Sequence, residues 1–286
     1  MSCFRAGRYE FPLNLRTYIV GILNVTPDSF SDGGRFITID QALRHAEAMI
    51  LAGVDILDVG GESTRPGSYP VGLSEELQRV VPVIEKICKT FDCAVSIDTY
   101  KAAVADAAFS AGACIANDIN GLQHDPEMAA AVARHNAGVI VMHNARLYRG
   151  IPPEASPSAD VMADVASFLQ RSCLIAQQAG VQSDHIMIDP GIGFGVTSSE
   201  SIQMIARLDE LKQLGFPILI GPSRKRFIGN ILNQNAADRL HGTSAAVAIG
   251  IDHGADFIRV HDVREMAEVA RVADALSRGP RADRRT

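Results

Sequence analysis

The sequence predicts a single α/β domain, a (β/α)8 TIM barrel, on three observations. Eight short runs rich in Val, Ile and Leu recur along 286 residues, amphipathic helical stretches separate them, and no linker-like segment interrupts the series. Parallel βαβ units require this alternation, because each crossover returns the chain to the same end of the sheet under a helix that covers one face. Eight units without a break fit one closed barrel of about 250 residues better than a doubly wound sheet with a second domain.

The strand runs lie at residues 17–23, 54–59, 94–97, 114–119, 138–142, 185–188, 217–220 and 256–260. The first leads into a Gly/Pro/Ser-rich stretch, 24–34, and then a helix over 39–52 that Gly53 closes. A second such stretch, 60–72, follows the second run, and a helix over 73–91 follows that. Both stretches are longer than ordinary βα connections, which in compact domains marks functional loops. An Ala-rich helical segment ends at Gly112 before the fourth run, and Gly138 reads as a helix cap before the fifth. Helices over 160–179 and 199–214 end at Gly180 and Gly215, and Gly254 stands before the last run. Glycine just past a helix takes the left-handed conformation that a Cβ resists.

Composition narrows the function class. Hydrophobic residues at 47% and charged residues at 21% are ordinary globular values. With 27 Lys+Arg against 33 Asp+Glu, the net charge of −6 excludes a general nucleic-acid binder with a basic face. No stretch approaches the roughly 18 to 20 apolar residues of a membrane span, and Met1 to Arg16 has no signal-peptide apolar core, so a cytoplasmic protein without a membrane partner is expected. Five scattered cysteines with no Cys-x-x-Cys pair indicate free thiols, neither a disulfide framework nor a zinc site. The barrel is assigned residues 1–278, with 279–286 a frayed tail.

A barrel collects its chemistry at the C-terminal ends of its strands. In chain order those ends carry Asn24; Asp58, Glu62, Thr64 and Arg65; Asp98; Asn117 and Asp118; His143; Asp189; Ser223, Arg224 and Lys225; and Arg259 and His261. The opposite ends offer little beyond Asp55, Asp184 and Asp256, so a polar ligand is expected on the C-terminal face. Asp98, Asn117 and Asp189 supply acceptors in a low-dielectric interior with Lys225 as the nearby cation, a set suited to a flat heterocycle bearing amino and oxo groups. The alternative is that Asp98 and Asp189 are capping or core groups, and that Lys225 belongs to a solvated basic run, 223–226. Arg65, Arg259 and His261, with the amide of Asn24, are donors whose common target is a phosphate or diphosphate, the alternative being surface ion pairs. The run Gly191-Ile192-Gly193-Phe194-Gly195 lacks the full dinucleotide fingerprint and its setting, and reads as a flexible site loop. His45, His135, His185, His241 and His253 have no metal-ligand spacing and read as surface or helix histidines. No Gly-x-Ser-x-Gly elbow is present, which leaves acyl-enzyme hydrolysis without support.

The segment Asn24-Val25-Thr26-Pro27-Asp28-Ser29-Phe30-Ser31-Asp32-Gly33-Gly34 resembles the first-loop signature of the dihydropteroate synthase family. Gly60-Gly61-Glu62-Ser63-Thr64-Arg65-Pro66-Gly67 resembles its second, and matches continue through Ser96-Ile97-Asp98-Thr99, Asn117-Asp118-Ile119, residues 188–195, residues 223–229 and residues 259–263. The family fold is also a (β/α)8 barrel. The resemblance implies condensation of 6-hydroxymethyl-7,8-dihydropterin diphosphate with p-aminobenzoate in folate synthesis, a sulfonamide target and a homodimer. It implies pterin contacts at Asp98, Asn117, Met142, Asp189, Phe194 and Lys225. An anion site follows at Asn24, Arg65, Arg259 and His261, with Asn24 also approaching Mg²⁺, and a p-aminobenzoate pocket at Thr64, Pro66, Phe194, Ser223 and Lys225. Ser223, near an expected helix N-terminus, is assigned to the carboxylate. Two places depart from the family pattern: residues 144–150 after Met142-His143, and Pro222 before Ser223. The competing class is a methyltetrahydrofolate-binding module of corrinoid methyl transfer, which would need neither the two loop signatures nor three donors for a diphosphate.

Overall fold

The computed structural model describes residues 2–25, 35–63, 69–149 and 157–279. A short hairpin, β1 (Cys3–Ala6) and β2 (Tyr9–Pro12), precedes the barrel. The alternating units follow: β3 (Tyr18–Asn24), α1 (Arg35–Leu51), β4 (Ile56–Gly60), α2 (Leu73–Thr90), β5 (Ala94–Asp98), α3 (Ala102–Ser110), β6 (Ile115–Asp118), α4 (Met128–Arg134) and β7 (Gly138–Met142). The second half comprises α5 (Val161–Gln178), β8 (Ile186–Asp189), α6 (Ser198–Ala206), β9 (Leu219–Ile220), α7 (Arg226–Leu232), α8 (Leu240–Asp252), β10 (Phe257–Val260) and α9 (Val263–Arg278). All eight strands from β3 onward pair in parallel, in the order β8-β7-β6-β5-β4-β3-β10-β9. A parallel bridge between Ile188 and Ile218 joins the two ends and closes the ring, as the eight sequence runs require.

The two-residue strand period sorts the side chains. One set, including Leu57, Val59, Val95, Ile97, Val139, Val141 and Ile188, packs under the helices in the larger apolar cluster. The other set points into the barrel and changes character along its axis. At the N-terminal end it is apolar: Val20, Ile56, Ala94, Ile115, Ile140, Met187 and Leu219 pack with the hairpin residues Phe4 and Phe11. Phe4, Phe11, Tyr18 and Phe257 stack there with ring centroids 5.1 to 5.9 Å apart, so the hairpin plugs the barrel floor. At the C-terminal end the inward positions are Asp58, Ser96, Asp98, Asn117, Asp189 and Arg259, buried or nearly so.

Three local expectations change. Gly138 is not a cap: it opens β7, and a Cβ there would lie 2.8 Å from the Phe4 ring and 3.1 Å from Ala6 Cβ. The left-handed residue after α4 is Asn136, φ 48°. The stretch 199–214 is not one helix, because α6, started by a capping box between Thr197 and Glu200, ends at Ala206 and a 3₁₀ helix covers Leu208–Leu214. No element was anticipated before residue 17, yet the hairpin is there. Among the described residues all five cysteines are free. No helix among them is long and apolar enough to cross a membrane. The assigned tail, from residue 280, lies outside the described residues.

Candidate active site

Asp58, Asp98, Asn117 and Arg259 meet because register places them on neighbouring inward positions. Asp58 pairs with Ser96, Gly60 with Asp98, and Asp98 with Asn117 across β4, β5 and β6. From β10, Arg259 reaches across: its Nε donates to Asp58 Oδ2 at 2.6 Å and its Nη2 to Asp98 Oδ2 at 2.6 Å. The other side of the Asp58 carboxylate accepts the Ser96 hydroxyl, and Asn117 Nδ2 donates to Oδ2 at 3.1 Å. Asn24, at the end of β3, pairs with Gly60, and a Cβ on that glycine would sit 3.5 Å from Asp98 Cβ and 3.8 Å from Asn24 Oδ1. Glycine there leaves space between the amide and the carboxylate.

Asp189, paired with Met142 across β8 and β7, accepts the Gly191 N–H at 2.7 Å. That contact partly satisfies the carboxyl, as the core-group alternative has it, but Asp189 also lines a pocket. The pocket walls are Asn117, Ile119, Met142, Asp189, Gly191, Ile192, Phe194, Gly221, Lys225 and Arg259. Lys225 Nζ lies 4.0 Å from the Phe194 ring centroid, a cation–π contact. The loop 191–195 forms a closely packed turn. Gly191, Gly193 and Gly195 have φ of 74°, 81° and 70°, and a Cβ on Gly191 would fall 1.8 Å from the His143 carbonyl oxygen.

Burial without full compensation sets the electrostatics. Desolvation pushes the Asp98 carboxyl up to about 7 despite the pull of Arg259, and the Asp189 carboxyl up to about 6 despite the Gly191 N–H and Lys225. Burial, joined by the charge of Arg259 and opposed by Asp189, pushes the Lys225 ammonium down to about 8. Burial also works against the charged form of Arg259, but Asp58 and Asp98 outweigh it and raise its pKa. Burial thus works against the charged forms of both carboxyls and of the ammonium within one cluster.

His261 follows β10. The Ser223 hydroxyl accepts the His261 backbone N–H at 3.2 Å and lies 2.9 Å from Nδ1, where it can donate. The direction of this second bond depends on which ring nitrogen carries the proton. Ser223 therefore braces His261, two residues ahead of Lys225, the N-cap of the seven-residue α7. Thr64, Arg65 and Pro66 lie outside the described residues, as does the first loop from Thr26 to Gly34.

Other strand-end residues serve the frame. Asp118 accepts the N–H groups of Asn120 and Leu122, closing a turn. His143 is buried between Pro190 O and the Tyr148 hydroxyl, and burial pushes it down to about 4, so it is neutral. Arg224 is tied to Asp262. Of the expected surface or helix histidines, His185 is the helix kind, buried at the end of a 3₁₀ helix, Ser183–His185, beside Asp184. The divergent segment packs on the glycine turn: Ala145 N–H donates to Phe194 O at 3.1 Å, and the Arg146 guanidinium lies 5.4 Å from the Phe194 ring centroid. Two features escaped the sequence. One is the hub role of Asp58. The other is a brace at the second loop, where Lys101 Nζ bridges Glu62 at 2.6 Å and the buried Glu76, and the Tyr100 hydroxyl donates to Glu62 at 3.0 Å.

A family model described as pterin binding enzyme matches residues 20–261. The dihydropteroate synthase of Bacillus subtilis is 48% identical over 261 residues, 91% of this chain and 89% of that protein. The one from Clostridium beijerinckii is 46% identical over 275 residues, 96% of this chain and 99% of that protein. Among solved structures, a dihydropteroate synthase from Clostridium difficile in the presence of pteroic acid superposes with a TM-score of 0.89 at 46% identity, covering 94% of this chain and 99% of that one. The Xanthomonas albilineans enzyme with 4-aminobenzoic acid gives 0.88 at 38% identity, covering 96% and 98%. With its closed barrel, its polar C-terminal interior and these likenesses over nearly its whole length, the chain belongs to the pterin-binding enzyme family and, within it, to the dihydropteroate synthases, enzymes of folate biosynthesis.

Proposed function

We propose that this barrel condenses 6-hydroxymethyl-7,8-dihydropterin diphosphate with p-aminobenzoate to 7,8-dihydropteroate and diphosphate. The single observation that carries the assignment to these residues is the pocket walled by Asn117, Asp189, Lys225 and Arg259 beside Asp98. Asp98, Asn117 and Asp189 accept the ring and amino N–H groups of the pterin, Lys225 donates to its oxo edge, and Met142 and Phe194 supply apolar contact. Arg259 and His261, with Arg65 and the amide of Asn24, receive the diphosphate. Thr64, Pro66, Phe194, Ser223 and Lys225 border the p-aminobenzoate site.

The reaction is dissociative. The methylene C–O bond breaks, its electron pair leaves with the diphosphate, and the arylamine lone pair then forms the C–N bond as nitrogen loses a proton. No side-chain nucleophile is needed. The carboxylates of Asp98 and Asp189 favour the pterin methylene cation, and Arg259 and His261 meet the negative charge that grows on the leaving group. Losing one such preorganised donor costs about 10²- to 10³-fold in rate. Asn24 Oδ1, at the strand end beside Gly60 and Asp98, is a hard oxygen that could hold Mg²⁺, an ion that characteristically keeps waters and phosphate oxygens as its other ligands. When bound, the ion neutralises charge on the diphosphate. The same proposal extends to a cytoplasmic homodimer, supported by exposed Ile202 on α6, Ile231 and Leu232 on α7 and Ile249 on α8.

Calorimetric titration with a pterin tests the pocket. Asp98→Asn and Lys225→Ala are each expected to weaken binding about ten- to a hundredfold, as loss of a charged hydrogen bond does, with the cooperative unfolding transition retained. Unchanged affinity in both would refute the assignment.

A further inference from the structure

Asp58 is fully buried at the centre of the site, yet it is not on the pocket wall. Its carboxylate is satisfied from three strands: the Ser96 hydroxyl from β5, Asn117 Nδ2 from β6 and Arg259 Nε from β10. From these contacts we infer that Asp58 is a positioning residue for specificity, one that commits Asn117 to face the ligand as an acceptor and holds Arg259 across the barrel mouth. This inference rests on the pterin assignment.

A primary amide presents a donor on one side and an acceptor on the other, and nothing in its own shape decides which faces the ligand. A buried carboxylate decides it. Asn117 Oδ1 turned toward Asp58 would set two acceptors against each other in a low-dielectric interior, so Nδ2 faces Asp58 and Oδ1 is left to the pocket that Asn117 lines. With Asp98 and Asp189, the pocket then offers three acceptors to an edge rich in N–H groups. The same carboxylate fixes the guanidinium. Arg259 bridges Asp58 and Asp98, and when a ligand N–H engages Asp98, the bond from Nε to Asp58 still holds the plane of the arginine.

Replacing the 2-amino group of a pterin by oxygen turns that donor into an acceptor, while the neighbouring N1 changes from an acceptor to an N–H donor. Wild-type protein should reject the 2-oxo ring because its acceptors cannot turn. In Asp58→Asn, an amide side chain can donate to Asn117 Oδ1 instead, the Asn117 amide is free to invert, and the rejection should relax.

The measurement is calorimetric affinity for 6-hydroxymethylpterin and for its 2-oxo counterpart, on wild type, Asp58→Asn and Ser96→Ala, each checked for cooperative unfolding. The expected result is a preference for the 2-amino ring that falls about tenfold or more in Asp58→Asn, the scale of one hydrogen bond in a closed site, and by a smaller factor in the same direction in Ser96→Ala. Among the described residues the Ser96 hydroxyl bonds only to the Asp58 carboxylate, so its variant carries the test if Asp58→Asn does not fold. An unchanged preference, or an equal loss of affinity for both rings, would overturn the positioning role. Wild-type protein that bound neither ring would overturn the pterin assignment and this inference with it.

Discussion

A carboxyl held at about 6 in the folded chain, as Asp189 is, binds protons that the same group in the unfolded chain has already released. Its contribution to stability is therefore full below the ordinary carboxylate value of 3.8 and is lost as pH rises through about 6. An amide has no such dependence. The melting temperature of Asp189→Asn minus that of the wild type should rise by a few degrees between pH 4 and pH 8, measured by thermal unfolding without ligand, while pterin affinity falls. A difference that is flat or declines with pH would show that Asp189 is not carrying an uncompensated buried charge. Residues such as Asp98, Asn117, Asp189 and Arg259 were legible in the sequence because the strand period marks which polar groups stand at a barrel's C-terminal end. Asp58 was visible at such an end, but its role was not: that depends on contacts with residues as distant in the chain as Arg259. Only closure of the ring brings them together.

At the level of elements, the second loop starts from a brace built by β4, α2 and the turn after β5. Lys101 is the only cation that meets both Glu62 and Glu76 among the described ion pairs, and Glu76 is 1% exposed. Lys101→Met leaves that buried carboxylate without a partner and should cost about 3 kcal/mol in urea unfolding, the lower end expected for such a loss. Adding Glu76→Gln should recover part of the cost, and strictly additive losses would contradict the coupling. The glycine turn 191–195 gives a second test. Gly191→Ala meets both a positive φ of 74° and the carbonyl oxygen of His143, so it should destabilise the fold by about 3 kcal/mol or more and weaken pterin binding. The strands could be read from sequence because each falls in a short run rich in Val, Ile or Leu between helical stretches. The β1–β2 hairpin could not, because four-residue strands containing Arg5 and Glu10 carry no such pattern and are held by aromatic contacts to Tyr18 and Phe257. Gly138 was misassigned for the same reason: what excludes its side chain is Phe4, more than a hundred residues earlier.

The whole molecule divides its barrel into an apolar floor and a polar mouth. On the proposed assignment a pterin fills the interior and p-aminobenzoate binds after it, beside the anion. Calorimetry should therefore find p-aminobenzoate binding only when diphosphate and Mg²⁺, or the pterin diphosphate, are present; equal affinity with and without them would contradict the coupling. The most direct measurement is of products: wild-type protein supplied with pterin diphosphate, p-aminobenzoate and Mg²⁺, with diphosphate and dihydropteroate followed together. The expected result is equimolar formation of both, abolished by omitting the pterin diphosphate, with no dihydropteroate when p-aminobenzoate is left out and a loss of about a hundredfold or more in Arg259→Ala. Absence of dihydropteroate with every component present, or wild-type turnover in Arg259→Ala, would contradict it.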